Sequence, residues 1–170
     1  MQLTRFVLFC GMRGEVNGNG AGAQPTAPGI SGVSGVEFVH TERARFRDVD
    51  AMGHVNNAVF LTYIEQARFA FLAEIGAAAG IEDTNRIVVR IEIDFKAPVR
   101  LGQEVEITVR PGRVGTKSFD FDYALRVDGE IVAEAKSVQV AYDYELGQAI
   151  AIPDDLRNKL SPARALSRHT

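Results

Sequence analysis

The sequence predicts an α+β fold in which an antiparallel sheet of about five strands wraps around one long central helix. Two observations carry this. Residues 58–75 place apolar groups at helical spacing with little charge, and the chain from residue 86 onward alternates apolar and polar residues over several long stretches. A helix apolar on most of its circumference needs burial, and a sheet with one apolar face needs a cover, so each supplies what the other lacks.

The elements follow in order. Val36 to Arg47 shows short alternation and reads as a first strand. A polar segment containing Gly53 follows. Leu61, Ile64, Phe69, Leu72 and Ile75 then lie near one stripe, with Phe60, Ala67 and Phe71 widening it. Asn56 or Asn57 supplies the N-cap and Gly76 a stop. Next, Ile87 to Lys96, Glu104 to Arg113 and Phe119 to Asp128 alternate cleanly, with turns at 97–102 and 113–115. Asp128-Gly129 is a type I′ hairpin signal. In the last long strand, Ile131 to Tyr142, the phase changes around Lys136, as a bulge or two covered faces would cause. Ile152 to Leu160 ends in a short helix. Long strands at the sheet's margin favour a second copy covering an edge, so a homodimer or homotetramer is expected.

At 170 residues, 46% hydrophobic and 24% charged, the chain has room for one packed domain. We place that domain at residues 36–160, after a flexible extension over 1–35 holding eight of the 16 glycines and before a disordered tail over 161–170. The run Phe6-Val7-Leu8-Phe9 has flanks that fit a secretory leader poorly, and no stretch approaches a membrane span. A net charge of −3 argues against a nucleic-acid partner. The lone Cys10 closes no disulfide within the chain and leaves no cluster for a structural zinc site. A cytoplasmic location is compatible with this.

The run Arg47-Asp48-Val49-Asp50-Ala51-Met52-Gly53-His54-Val55-Asn56-Asn57, followed by Tyr63 and Glu65-Gln66-Ala67-Arg68, resembles the hotdog-fold acyl-CoA thioesterases. Within them it is similar to the 4-hydroxybenzoyl-CoA thioesterase-like branch, whose loop reads Asp-x-x-Gly-His-Val-Asn-Asn before the central helix. The resemblance extends over Val36 to Tyr144 and includes the strand order. It implies hydrolysis of an acyl-CoA or acyl-carrier thioester, with Asp50 as the catalytic carboxylate and the backbone N–H of Asn57 polarising the carbonyl. The best-studied branch carries an aromatic residue at the position of Asn57, a departure that leaves a backbone contact unaffected. No cofactor is expected, coenzyme A being part of the substrate, and no metal.

The residues support that chemistry independently. The start of a buried helix carries unpaired N–H groups and the positive end of the helix dipole, which in a dry pocket makes an oxyanion hole. Asp50 lies seven positions before Asn57, and its carboxylate is able to attack directly or activate water. Each residue has a plainer role beside this one. Asp50 suits an Asx-turn, Asp48 a turn or ion pair, Asn57 an N-cap. His54 either orients Asp50 or packs as a satisfied histidine, and Glu65 either supports the site or pairs with Arg68. For the phosphates of coenzyme A the candidates are Arg100, Arg113, Lys117 and Ser118, with Arg110 beside them. The turn Arg113-Val114-Gly115-Thr116-Lys117-Ser118 resembles the family's coenzyme-contacting loop, and a solvated hairpin is its alternative. A non-catalytic acyl-CoA-binding module and a hydratase or dehydratase are the competing functions on this fold.

Overall fold

The computed structural model describes residues 37–78 and 85–161, together with the backbone of a short strand, β1, at Arg5–Phe9. β2 (Phe38–Arg43) leads through a single 3-10 turn, Phe46–Asp48, to the central helix α1 (Asn57–Glu74). β3 (Arg86–Phe95), β4 (Glu104–Val114), β5 (Ser118–Val127) and β6 (Glu130–Asp143) follow. The two-residue β7 (Gln148–Ala149) and the helix α2 (Asp154–Leu160) close the described chain. The sheet is antiparallel, in the order β1-β3-β6-β5-β4-β2, with β7 paired to β6.

The alternation read from the sequence sets which faces meet. Val105, Ile107 and Val109 of β4 and Phe119, Phe121, Tyr123 and Leu125 of β5 are buried on the concave face. Against them α1 lays Phe60, Ile64, Ala67, Phe71 and Leu72. Edge-on aromatic pairs fix the seating: Phe71 meets Phe121 at 5.5 Å between ring centroids, and Phe60 meets Phe95 of β3 at 5.2 Å. The helix ends where the sequence says, since Gly76 takes φ +65° and sends its N–H back to the Ala73 carbonyl. The β5–β6 hairpin has positive φ at both Asp128 and Gly129, as a type I′ turn demands.

Four expectations change. The first strand stops at Arg43 rather than Arg47, because Ala44 turns into the core and the Arg45 N–H is claimed by the Asp48 carboxylate at 2.9 Å. The sheet exceeds five strands because β1 and β7 join it. Arg5–Phe9 pairs with β3 from Arg5↔Asp94 to Phe9↔Arg90, so part of the expected flexible extension is ordered backbone; residues 10–36 lie outside the described residues. Of the expected disordered tail, Ser161 hydrogen-bonds to the Arg157 carbonyl, and residues 162–170 lie outside the described residues. Finally, β6 is in register at Lys136, and the nearest irregularity lies in β3, between Val88 and Arg90, opposite Gln139 and Val138. Register with β5 runs unbroken from Ser118↔Val140 to Leu125↔Ala133. The phase only looks shifted because the concave face of β6 carries Ser137 and Gln139 where alternation suggests aliphatic groups.

Phe71 is fully buried and touches both Phe38 and Phe121. Phe71→Ala is expected to lower the unfolding free energy by about 3–5 kcal/mol, read from urea denaturation with an unchanged m-value.

Candidate active site

The segment between the 3-10 turn and α1 is a tight backbone hairpin. The Asn56 N–H donates to the Asp48 carbonyl at 2.8 Å, Val49 and Val55 form a bridge, and the Asp50 N–H donates to the His54 carbonyl at 2.8 Å. The hairpin is fastened on two sides. Val55 donates to the Val99 carbonyl at 2.7 Å and His54 bridges Arg100, which ties it to the chain entering β4. On the other side the Asp48 carboxylate, 8% exposed, accepts the Tyr63 hydroxyl at 2.9 Å and the Arg45 N–H. Asp48 is therefore a structural anchor. Burial first, then the hydrogen bond and charge of Asp48, push the Tyr63 phenol well above its ordinary value of 10.0.

Asp50 sits at the hairpin's mouth, half-buried. Its Oδ1 accepts the Met52 N–H at 2.8 Å and the His54 N–H at 3.4 Å, an Asx-turn. Oδ2 accepts no hydrogen bond from the described residues. The plainer role foreseen for Asp50 is thus real, and it holds one oxygen while leaving the other open.

The helix start offers a single open amide in its first turn. Asn56, not Asn57, is the N-cap, and its side chain accepts from the Ala58 N–H at 2.9 Å. The Val59 N–H donates to the Asn56 carbonyl at 2.9 Å. The Asn57 N–H is left without a partner among the described residues, and no acidic residue stands in the first turn to offset the dipole. Asn56 and Asn57 are exposed, so the enclosed, dry pocket expected around the tip is not formed by the described residues.

The remaining candidates divide. His54 is half-buried and contributes backbone contacts on both sides of the hairpin. Glu65 faces outward and pairs with Arg68 at 3.4 Å, its plainer role. Arg100 lies beside the hairpin. Arg113, Lys117 and Ser118 stand at the opposite end of β4, about 30 Å away at the rise of an extended strand. There the Lys117 ammonium donates to the Ala149 carbonyl at 2.9 Å and the Ser118 carbonyl accepts the Gly115 N–H at 2.7 Å. One subunit does not bring this group to Asp50. Of the large apolar residues near the helix, Phe60 and Phe71 are buried, Phe69 is half-buried and Met52 is exposed. Sequence reasoning missed Tyr63 as the partner of Asp48. The signal was present: Tyr63 lies in the second turn of the helix, fifteen residues after the acid whose carboxylate it meets.

Residues 44–160 match the model of a family described as the thioesterase-like superfamily. A thioesterase from Thermus thermophilus, solved with coenzyme A and zinc, is 33% identical over 72% of this chain and 90% of its own, with a TM-score of 0.66. The long-chain acyl-CoA thioesterase of Escherichia coli strain K12 is 29% identical over 122 residues, 69% of this chain and 92% of its own length. A 1,4-dihydroxy-2-naphthoyl-CoA hydrolase from Synechococcus elongatus is 28% identical over 121 residues, 68% of this chain and 89% of its own.

Tyr63→Phe leaves one buried oxygen of Asp48 with a single donor, and is expected to cost about 1–3 kcal/mol of stability by urea unfolding. Above about pH 10 an unfolded tyrosine loses its proton while the folded Tyr63 keeps it. Stability therefore falls as pH rises through that range, by up to about 1.4 kcal/mol per unit for each such tyrosine. The slope is expected to be shallower in Tyr63→Phe than in the wild type.

Proposed function

The chain belongs to the thioesterase-like superfamily and has its hotdog fold, and on that footing we propose that it hydrolyses an acyl-coenzyme A thioester with Asp50 as the catalytic carboxylate. The reading is supported by the open Asn57 amide at the start of α1 and by a carboxylate, seven residues earlier in the same short segment, that is fixed through one oxygen and open at the other. A thioester carbonyl seated on that amide places its developing negative charge at the positive end of an 18-residue helix. The Asx-turn holds Asp50 in place, which lowers the reorganisation its open oxygen needs at the moment of attack. Attack on the carbonyl carbon, by the carboxylate or by a water it deprotonates, gives a tetrahedral intermediate. That intermediate collapses with loss of the coenzyme A thiolate, which takes up a proton, and leaves the free acid.

A second copy of the chain completes this reading. The helix tip is exposed in one subunit, and the Arg113–Lys117–Ser118 turn stands too far from it to meet the same substrate molecule. In a homodimer the partner's turn is able to contact the phosphates of a coenzyme A whose thioester lies at this subunit's hairpin, and the partner's surface excludes water from the tip.

Free-thiol release over a panel of acyl-CoA thioesters is expected to show turnover of at least one member by the wild type. Asp50→Asn is expected to lower kcat/KM on that substrate by about 10²-fold or more while the thermal melting point stays within a few degrees of wild type. Saturable binding without thiol release, or equal turnover by the variant, would contradict the assignment.

A further inference from the structure

The segment that leads into the hairpin reads Arg43-Ala44-Arg45-Phe46-Arg47, and the hydrolytic chemistry uses none of its side chains. Ala44 turns into the core. Its N–H donates to the Gln103 carbonyl and its carbonyl accepts the Gly102 N–H, both at 2.9 Å. The run is thereby laid against the turn that carries Arg100 and Leu101. That turn also holds the hairpin of Asp50, through the Val99 carbonyl and the bridge between Arg100 and His54. Three loops, 43–48, 49–55 and 99–103, therefore meet at one end of the domain, around the open carboxylate.

These loops expose two kinds of group. Phe46 is 85% exposed, Met52 77% and Leu101 54%. A single exposed apolar residue needs no explanation, whereas three large ones on adjoining loops mark a contact surface.

Four arginines stand on the same loops. Arg43 and Arg100 are exposed, and their guanidinium groups have no partner among the described residues. Arg45 meets Glu42 at 2.9 Å with half of its side chain in water. The Arg47 side chain is 75% exposed and comes no nearer than 3.8 Å to Asp48. The acids are set further in, since the side chains of Glu42 and Asp48 are 13% and 10% exposed. Glu104, across the ladder from Arg43, is the exposed exception. A ligand approaching this end meets positive charge first, on a chain whose net charge is −3.

The spread of these cations decides what they suit. A free phosphate calls for donors converging on one point. Here arginines on two loops surround exposed phenylalanine, methionine and leucine, and arginine, methionine and aromatic groups are enriched where proteins dock.

We propose that this end of the domain docks an acidic carrier protein, which presents the acyl thioester to Asp50 on a pantetheine arm and is preferred to free coenzyme A. The inference rests on the thioester hydrolysis proposed above. The arginines face the carrier's carboxylates, Phe46, Met52 and Leu101 take its apolar contacts, and opposite charge steers the encounter.

Decanoyl loaded on a bacterial acyl carrier protein and decanoyl-CoA share the acyl group and the pantetheine and differ in what lies beyond, so they separate the two sources. The wild type is expected to favour the carrier thioester by about tenfold or more in kcat/KM. Combining Phe46→Ala with Arg47→Ala is expected to lower that ratio about tenfold through KM on the carrier, with decanoyl-CoA turnover kept. Both side chains face water, so the melting point is expected to stay within a few degrees of wild type. A smaller wild-type preference, or a ratio unchanged in the double variant, overturns the proposal. So does a change of oligomeric state in that variant, which assigns the face to contact between copies. If neither thioester releases thiol, the hydrolytic reading fails separately. Calorimetric titration with the same carrier then tests the surface, and wild-type binding no tighter than that of the double variant overturns it.

Discussion

The carboxylate of Asp48 is the fastening on which the site depends. It is buried, and it takes one hydrogen bond from its own turn at Arg45 and one from Tyr63 on the helix. Its backbone carbonyl takes the N–H of Asn56. One residue thus joins the end of the first strand, the second turn of α1 and the residue that caps α1. The hairpin's other fastening is Val55, whose side chain is in the core and whose N–H donates to the Val99 carbonyl. Without the Asp48 junction that single side would have to hold it.

From this constraint the division of labour between the two aspartates follows. Asp48 is buried and held from two sides, which suits a group that must not move. Asp50 lies two residues further on, at the mouth of the hairpin, where one oxygen is spoken for and the other is not. The helix repeats the pattern: Asn56 occupies one amide of the first turn and leaves the amide of Asn57 open. In both places the fold satisfies a polar group halfway and leaves the remaining half open. Both groups are open to water in one chain, and both are free to exchange that water for a ligand.

Most of the architecture was legible because period two and period 3.6 stand out over long stretches, and because Gly76 and Asp128-Gly129 are strong punctuation. The helix was placed to within one residue at each end. What escaped had physical causes. Arg5–Phe9 lies beside a glycine-rich stretch that gives no sign of pairing with β3 more than eighty residues away, and no local pattern records such a long-range pairing. The first strand was drawn too long because the Asp48 side chain, not the apolar pattern, ends it. The roles of Asp48 and Asp50 were separable only by context, since both are acids in one loop. The separation between Arg100 and the Arg113–Ser118 turn is a matter of strand length and sheet position, which spacing in the chain hides. Ser137 and Gln139 looked like a slip of phase, whereas the ladder shows two polar residues standing in register on the core side.

Catalysis as proposed requires the amide of Asn57 to receive the substrate's carbonyl oxygen. The most direct test is the 15N–1H resonance of that amide during titration with a non-cleavable ketone analogue of an acyl-CoA that the protein hydrolyses. A downfield shift of Asn57 that saturates with binding, kept when Asp50 is replaced by Asn, is the predicted result. A bound analogue that leaves the Asn57 amide unmoved while other first-turn amides shift would contradict it.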